Sequence, residues 1–332
     1  MNFQRQLASA TLRVSPGITR HIARFAADRA SRHLDGVANT IAESMSTGVS
    51  GPEHAALKKR FARNIYDVNL MQLRLSQFSQ RRLRHFIERV EVSSPRSLND
   101  DLENGRPILF FSPHYQHYAI SALKLPTITQ TYTPLHIFYN PPSSNNFSAM
   151  MTTLLTTLDR GAVPILNDRR GGLTAMRTLK GGGALAIMPD FTQPSTANRY
   201  VPFFNRYFFA MPGTAVLALR SSAALYPIYC ERYKGDRFVL TIEEALEPRK
   251  LPDFETNVYL TTMDIFAKME EIIRRDVAAW RFWADFESFT WSPLNRPASA
   301  QDALSALRAI SRKLRAQDPA SSAILNSVLE HA

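Results

Sequence analysis

The stretch Pro107 to Ser121, PILFFSPHYQHYAIS, constrains this chain more than any other. Ile108 to Phe111, with Pro107 ahead of them, make a short uncharged run of the kind that forms a buried strand. The run stops at Ser112-Pro113, because proline fixes its own φ and pushes the residue before it towards an extended conformation. His114 follows directly, and His117 comes three residues later. A buried strand ending in a turn that bears histidines describes the edge of an α/β sheet, where loops present chemistry.

The same grammar returns further on. Val163 to Leu166 reads as a strand, Leu173 to Leu179 as a helix and Ala184 to Met188 as a buried strand, after which Pro189-Asp190 stands where Pro113-His114 stood. Strand, loop, helix and strand in this order predict a βαβ unit. Further strands are predicted within Leu123–Tyr139, which reads as loop and strand, and at 224–230 and 238–242. Helices are predicted over 17–47, 53–90, 94–104, 149–158 and 256–277, and one opens at Pro212-Gly213. The expectation is an α/β fold: a mixed, mostly parallel central sheet flanked by helices, behind a helical N-terminal region.

Three segments follow. Residues 1–52 form a basic amphipathic segment, with Ile18, Ile22, Phe25, Ala26, Leu34, Val37 and Ile41 at helical spacing among Arg20, Arg24, Arg29 and Arg32. Such a helix suits an anionic membrane surface, and equally suits packing on its own domain. Residues 53–297 form the α/β domain, and 298–332 a polar helical extension with a loose end. The arginines Arg81, Arg82 and Arg84 beside His85 mark either a phosphate contact or a solvated helix face.

The 332 residues carry a net charge of +11 and a single cysteine, Cys230. One cysteine excludes an internal disulfide, and no cysteine–histidine cluster has zinc spacing. The charge favours an anionic surface or an acidic partner, yet no nucleic-acid motif accompanies it. The first twenty residues lack the apolar core of a signal peptide, and no run of 18 apolar residues is present to span a bilayer.

Imidazole suits proton abstraction near neutral pH, so His114 is the first candidate base and His117 its neighbour or substitute. Arg169 and Arg170, beside two glycines, offer a fixed fork of donors for an oxyanion or a phosphate. Asp190 either takes part in the chemistry or caps a turn.

Over about residues 55–292 the chain resembles the bacterial lipid A late acyltransferases of the lysophospholipid acyltransferase superfamily. The resemblance rests on the arginine-rich helix, GRPILFFSPH, NDRRGGLTAMRTLKGGGALAIMPD and RYVPFFNRYFFAMPGTAVLALRSSAALYP. It implies a transferase that takes an acyl group from a thioester, with no bound cofactor of its own. His114 matches the family's catalytic histidine, Arg169 or Arg170 its arginine, and Pro189-Asp190 its Pro-Asp turn. Tyr115, Tyr118, Phe191, Phe203 and Phe204 are expected to line the acyl pocket.

Two departures qualify this. The family's histidine is followed five positions later by Glu or Asp, but here Ala119 occupies that place. Three accounts stay open: His117 or a distant acid such as Asp168, Asp190 or Glu231 takes over, the acceptor is an amine that asks less of a base, or acyl transfer has been lost. Secondly, family members usually begin with an apolar anchor, and this chain offers a basic amphipathic helix instead. The resemblance therefore implies a cytoplasmic enzyme, at most peripheral on the inner membrane. Its acyl or aminoacyl donor is the phosphopantetheine thioester of an acyl or peptidyl carrier protein, or coenzyme A, and its acceptor an amine or hydroxyl. The alternative is an inactive scaffold of the same fold that binds an acyl chain or a carrier protein. An acidic carrier protein is an electrostatic match for a +11 chain, an anionic membrane surface is a second contact, and nucleic acid is not expected.

Overall fold

The computed structural model describes residues 16–45, 51–143, 146–159, 161–168, 170–192, 199–291, 298–316 and 318–330. At the N-terminal end of these stand helices α1 (Pro16–Ala30), α2 (Asp35–Ser44), α3 (Pro52–Leu75) and α4 (Gln80–Glu88). Where the sequence pattern reads as two long helices, the structure has four. A 3-10 turn at Ser31–His33 divides the first pair. Ser79, whose hydroxyl accepts the Arg82 N–H, starts α4 afresh. Of the apolar residues at helical spacing in the first segment, Ile22 and Phe25 are 60% and 73% exposed.

Strand β1 (Glu91–Ser93), helix α5 (Arg96–Glu103) and strand β2 (Ile108–Phe111) lead to the histidine turn, and α6 (Tyr118–Thr129) leaves it. The structure places this helix where the sequence reads as loop. All of Tyr118 to Pro126 is buried, so no polar face marks a helical period. The chain continues through β3 (Leu135–Tyr139), α7 (Asn146–Leu158), β4 (Ala162–Leu166), α8 (Gly171–Lys180) and β5 (Ala184–Ile187). Next come β6 (Arg199–Phe203), β7 (Arg206–Ala210), α9 (Gly213–Ser221), β8 (Ala224–Lys234), β9 (Arg237–Ile242) and α10 (Phe254–Arg274). Short turns lead to β10 (Thr290–Trp291), and α11 (Ala298–Leu314) and α12 (Pro319–Glu330) follow.

Seven strands form one mixed sheet in the order β1-β9-β8-β2-β5-β3-β4, in which only β8 and β9 pair antiparallel. This is the mostly parallel α/β sheet that the sequence predicts. One face packs against α4 to α7, with Phe110, Leu123, Leu154 and Tyr226 in its core. The other packs against α8 to α10, a small β10-β7-β6 sheet and the aromatic residues Trp280, Trp283 and Phe286. Leu307, Ile310, Leu314 and Leu325 of the last two helices join that second core.

The β4–α8 turn depends on a glycine. A Cβ on Gly171 would stand 2.0 Å from the Leu166 carbonyl oxygen, whereas one on Gly172 would meet nothing within 4 Å. Gly171→Ala should therefore cost about 1–3 kcal/mol by overpacking, while Gly172→Ala should be neutral or stabilise by about 0.5–1 kcal/mol. Urea unfolding of the two variants checks this, and equal midpoints would contradict it.

Candidate active site

Strands β2 and β5 are parallel neighbours, with Phe111 opposite Ile187. His114 lies three residues past the first and Asp190 three past the second, so the two strand ends deliver these side chains to one place. Asp190 is fully buried. Its Oδ1 lies 2.7 Å from His114 Nδ1. Its Oδ2 accepts the His114 backbone N–H at 2.6 Å and the Trp280 indole N–H at 2.8 Å. An ionised carboxylate only accepts, so a neutral ring opposite it carries its proton at Nδ1, and among the described residues nothing takes up the Nε2 lone pair.

The backbone around His114 is held just as closely. Gln116 takes a positive φ of 42°, and its N–H donates to the Ala279 carbonyl. The Arg281 N–H donates to the His114 carbonyl, and Tyr115 bridges Trp280 in antiparallel fashion. Residues 279–281 thus fasten the turn from outside the sheet. The His114 ring rests between Tyr118 and Phe282, with centroids 4.9 and 4.8 Å away.

His114 opens into a cavity of about 900 Å³. Tyr118 and Phe191 line it as expected, and so does Ala119. Tyr115, Phe203 and Phe204 do not: they are fully buried elsewhere. The Tyr115 hydroxyl donates to Glu231 at 2.9 Å. Phe203 and Phe204 pack on Trp280 and Phe286. They also end a tight β6–β7 hairpin, in which Phe204 and Asn205 take the positive φ values of 51° and 56° that such two-residue turns require. Being apolar was not enough to place them at the pocket.

His117 is no substitute base, because its ring is buried away from the cavity. Its Nε2 lies 3.3 Å from Asp67, which also pairs with Arg232 at 3.1 Å. Burial holds its pKa below the ordinary value despite the attraction of Asp67. Arg169 lies outside the described residues. Arg170 is exposed and absent from the cavity wall, and its backbone N–H turns back to Asp168. Among the described residues the arginines in the wall are Arg220 and Arg281. Sequence reasoning passed over both, since one sits in an ordinary apolar helix and the other in an aromatic tail that only the fold carries to His114.

A model of the bacterial lipid A biosynthesis acyltransferases matches residues 48–284. Among solved structures, the 1-acyl-sn-glycerophosphate (LPA) acyltransferase PlsC from Thermotoga maritima is similar at 13% sequence identity and a TM-score of 0.36, covering 79% of this chain and 99% of that one. No curated protein sequence matches.

The depressed pKa of His117 has a consequence for stability. The folded protein holds this ring neutral, so its contribution is complete above the unfolded value of about 6.5 and is lost as pH falls below it. Unfolding free energy should thus decline from pH 7.5 to 5.5, and His117→Gln should flatten that slope by up to about 1.4 kcal/mol per pH unit. Urea titrations at stepped pH measure it, and identical slopes would refute the assignment.

Proposed function

The chain belongs to the bacterial lipid A biosynthesis acyltransferase family, and we propose that it moves an acyl or aminoacyl group from a carrier-protein thioester to an amine or hydroxyl acceptor, with His114 as base and Asp190 as the carboxylate that orients it. The observation that carries this is the 2.7 Å contact between His114 Nδ1 and Asp190. Asp190 takes over the role left vacant at Ala119.

In this reading the acceptor's O–H or N–H gives its proton to His114 Nε2 as its heteroatom attacks the thioester carbonyl. The buried carboxylate of Asp190 stabilises the imidazolium that forms. Collapse of the tetrahedral intermediate breaks the C–S bond, and the departing thiolate takes the proton back from His114. Arg281, which lines the cavity, holds the His114 carbonyl through its N–H and donates from its guanidinium to Asn69 Oδ1 at 3.3 Å, supplies the cation for the developing oxyanion that Arg169 or Arg170 was expected to provide.

An acidic carrier protein suits the net charge of +11. Among the described residues no helix is long and apolar enough to cross a membrane. The exposed Ile22 and Phe25, flanked by Arg24 and Arg29, suit the surface of an anionic bilayer. We place the enzyme at the cytoplasmic face of the inner membrane on that ground.

His114→Ala should lower kcat/KM by about two orders of magnitude or more with folding intact. Asp190→Asn should approach the same loss, and the double variant should be little worse than the worse single one, as expected of groups acting as a unit. Intact-mass detection of carrier unloading, with circular dichroism as the folding control, measures all three. Near-normal turnover by folded His114→Ala would remove the dyad from the mechanism. Absence of unloading by the unaltered protein across a panel of carriers and acceptors would favour the binding scaffold.

A further inference from the structure

The cavity does not lie on one face of the sheet. Ile137 and Ala186 belong to the core under α6 and α7, whereas Phe138 and Ile187 face the core under α8 and α9, and all four line the cavity. Consecutive strand residues point to opposite faces. A cavity walled by both must therefore bend around the ends of β3 and β5 and have two arms. His114 stands at the bend, since its ring touches Tyr118 of one core and Phe282 of the other.

The arms differ in character. The first, walled by Ala122, Leu125, Met151 and Leu155, is buried and mainly apolar, with Ser121 and Ser148 as its hydroxyl-bearing residues. The second carries polar groups: Asn167, Thr214 and the backbone at Gly172 and Gly213. Helix α9 runs along it. The strand that leads into it, β7, is tied to the Asp190 loop, because the Thr192 hydroxyl donates to the Phe209 carbonyl at 2.6 Å. Gly213, Leu217 and Arg220 share one face, so Arg220 lies about 10 Å further out along the helix. There Arg220 is exposed, its guanidinium rests 4.8 Å over the Phe254 ring, and it forms no ion pair among the described residues.

We propose that the second arm admits a phosphopantetheine arm and that Arg220 binds its phosphate at the mouth. This rests on the acyl-transfer reading and gives the thioester donor a path. The phosphate stays outside on Arg220, the pantetheine amides pass Asn167 and Thr214, the thioester carbonyl reaches His114 at the bend, and the acyl chain turns into the first, mainly apolar arm. Arginine fits a phosphate through paired N–H donors. At about 30 Å³ per water-sized group, 900 Å³ has room for about thirty such groups, enough for the arm and a medium acyl chain together.

Calorimetry with 4′-phosphopantetheine and with pantetheine tests this, in the unaltered protein and in His114→Ala. The phosphorylated compound should bind at least about tenfold tighter, Arg220→Ala should abolish that preference, and Arg220→Lys should restore part of it. Equal binding of the two compounds by the unaltered protein, or a preference that survives Arg220→Ala, would overturn the inference. Kinetics with acyl carrier protein and acyl-coenzyme A then tell the sources apart, as the natural donor is the one whose kcat/KM falls most in Arg220→Ala. Because binding is read in His114→Ala as well, a preference for phosphate with no turnover in the unaltered protein would sink the acyl-transfer reading and leave this site standing.

Discussion

The carboxylate of Asp190 organises this protein. A buried ionised group is costly unless hydrogen bonds replace its water, and here three donors do so: the His114 ring, the His114 backbone and the Trp280 indole. Each donor comes from a different structural commitment. The ring and backbone of His114 arrive through the pairing of β2 with β5, and the indole arrives through the aromatic tail that packs under the second face of the sheet. Loss of any one would leave a buried polar group unpaired, so the sheet edge, the tail and the dyad are specified together.

The two neighbouring histidines show how environment divides roles between like residues. His114 touches Asp190 at Nδ1 and opens through its other nitrogen into the cavity. His117, three residues on, follows the positive φ at Gln116 and lies buried away from the cavity, where Asp67 and Arg232 meet it and Phe238 packs on its ring. One imidazole is left with a usable lone pair and the other is held neutral as part of the packing. The strained turn is what separates them.

Much of this was legible in the sequence. The uncharged runs at Ile108–Phe111 and Ala184–Ile187 marked the two central strands, and the prolines after them marked where chemistry would stand. His114 and Asp190 were both singled out, and Asp190 stood with Asp168 and Glu231 among the acids that could replace the missing carboxylate; the choice among them was not legible, because Asp190 is 76 residues from His114 and meets it only through the order of strands in the sheet. Helix α6 was hidden by its own burial, which erases the polar face that betrays a helix. Tyr115, Phe203 and Phe204 looked like pocket walls because aromatic residues serve cores and cavities alike. Arg220 and Arg281 carried no local signal, since their role depends on which helix face and which turn look into the bend.

The central claim is that Asp190 fixes His114 in the tautomer that leaves Nε2 as the base. Nitrogen-15 NMR of histidine-labelled protein at a pH where the ring is neutral reads this directly, with His114→Ala giving the assignment. The account predicts that His114 carries its proton on Nδ1, and that Asp190→Asn disturbs that state. A His114 ring protonated on Nε2 in the unaltered protein, or one indifferent to Asp190→Asn, would contradict it.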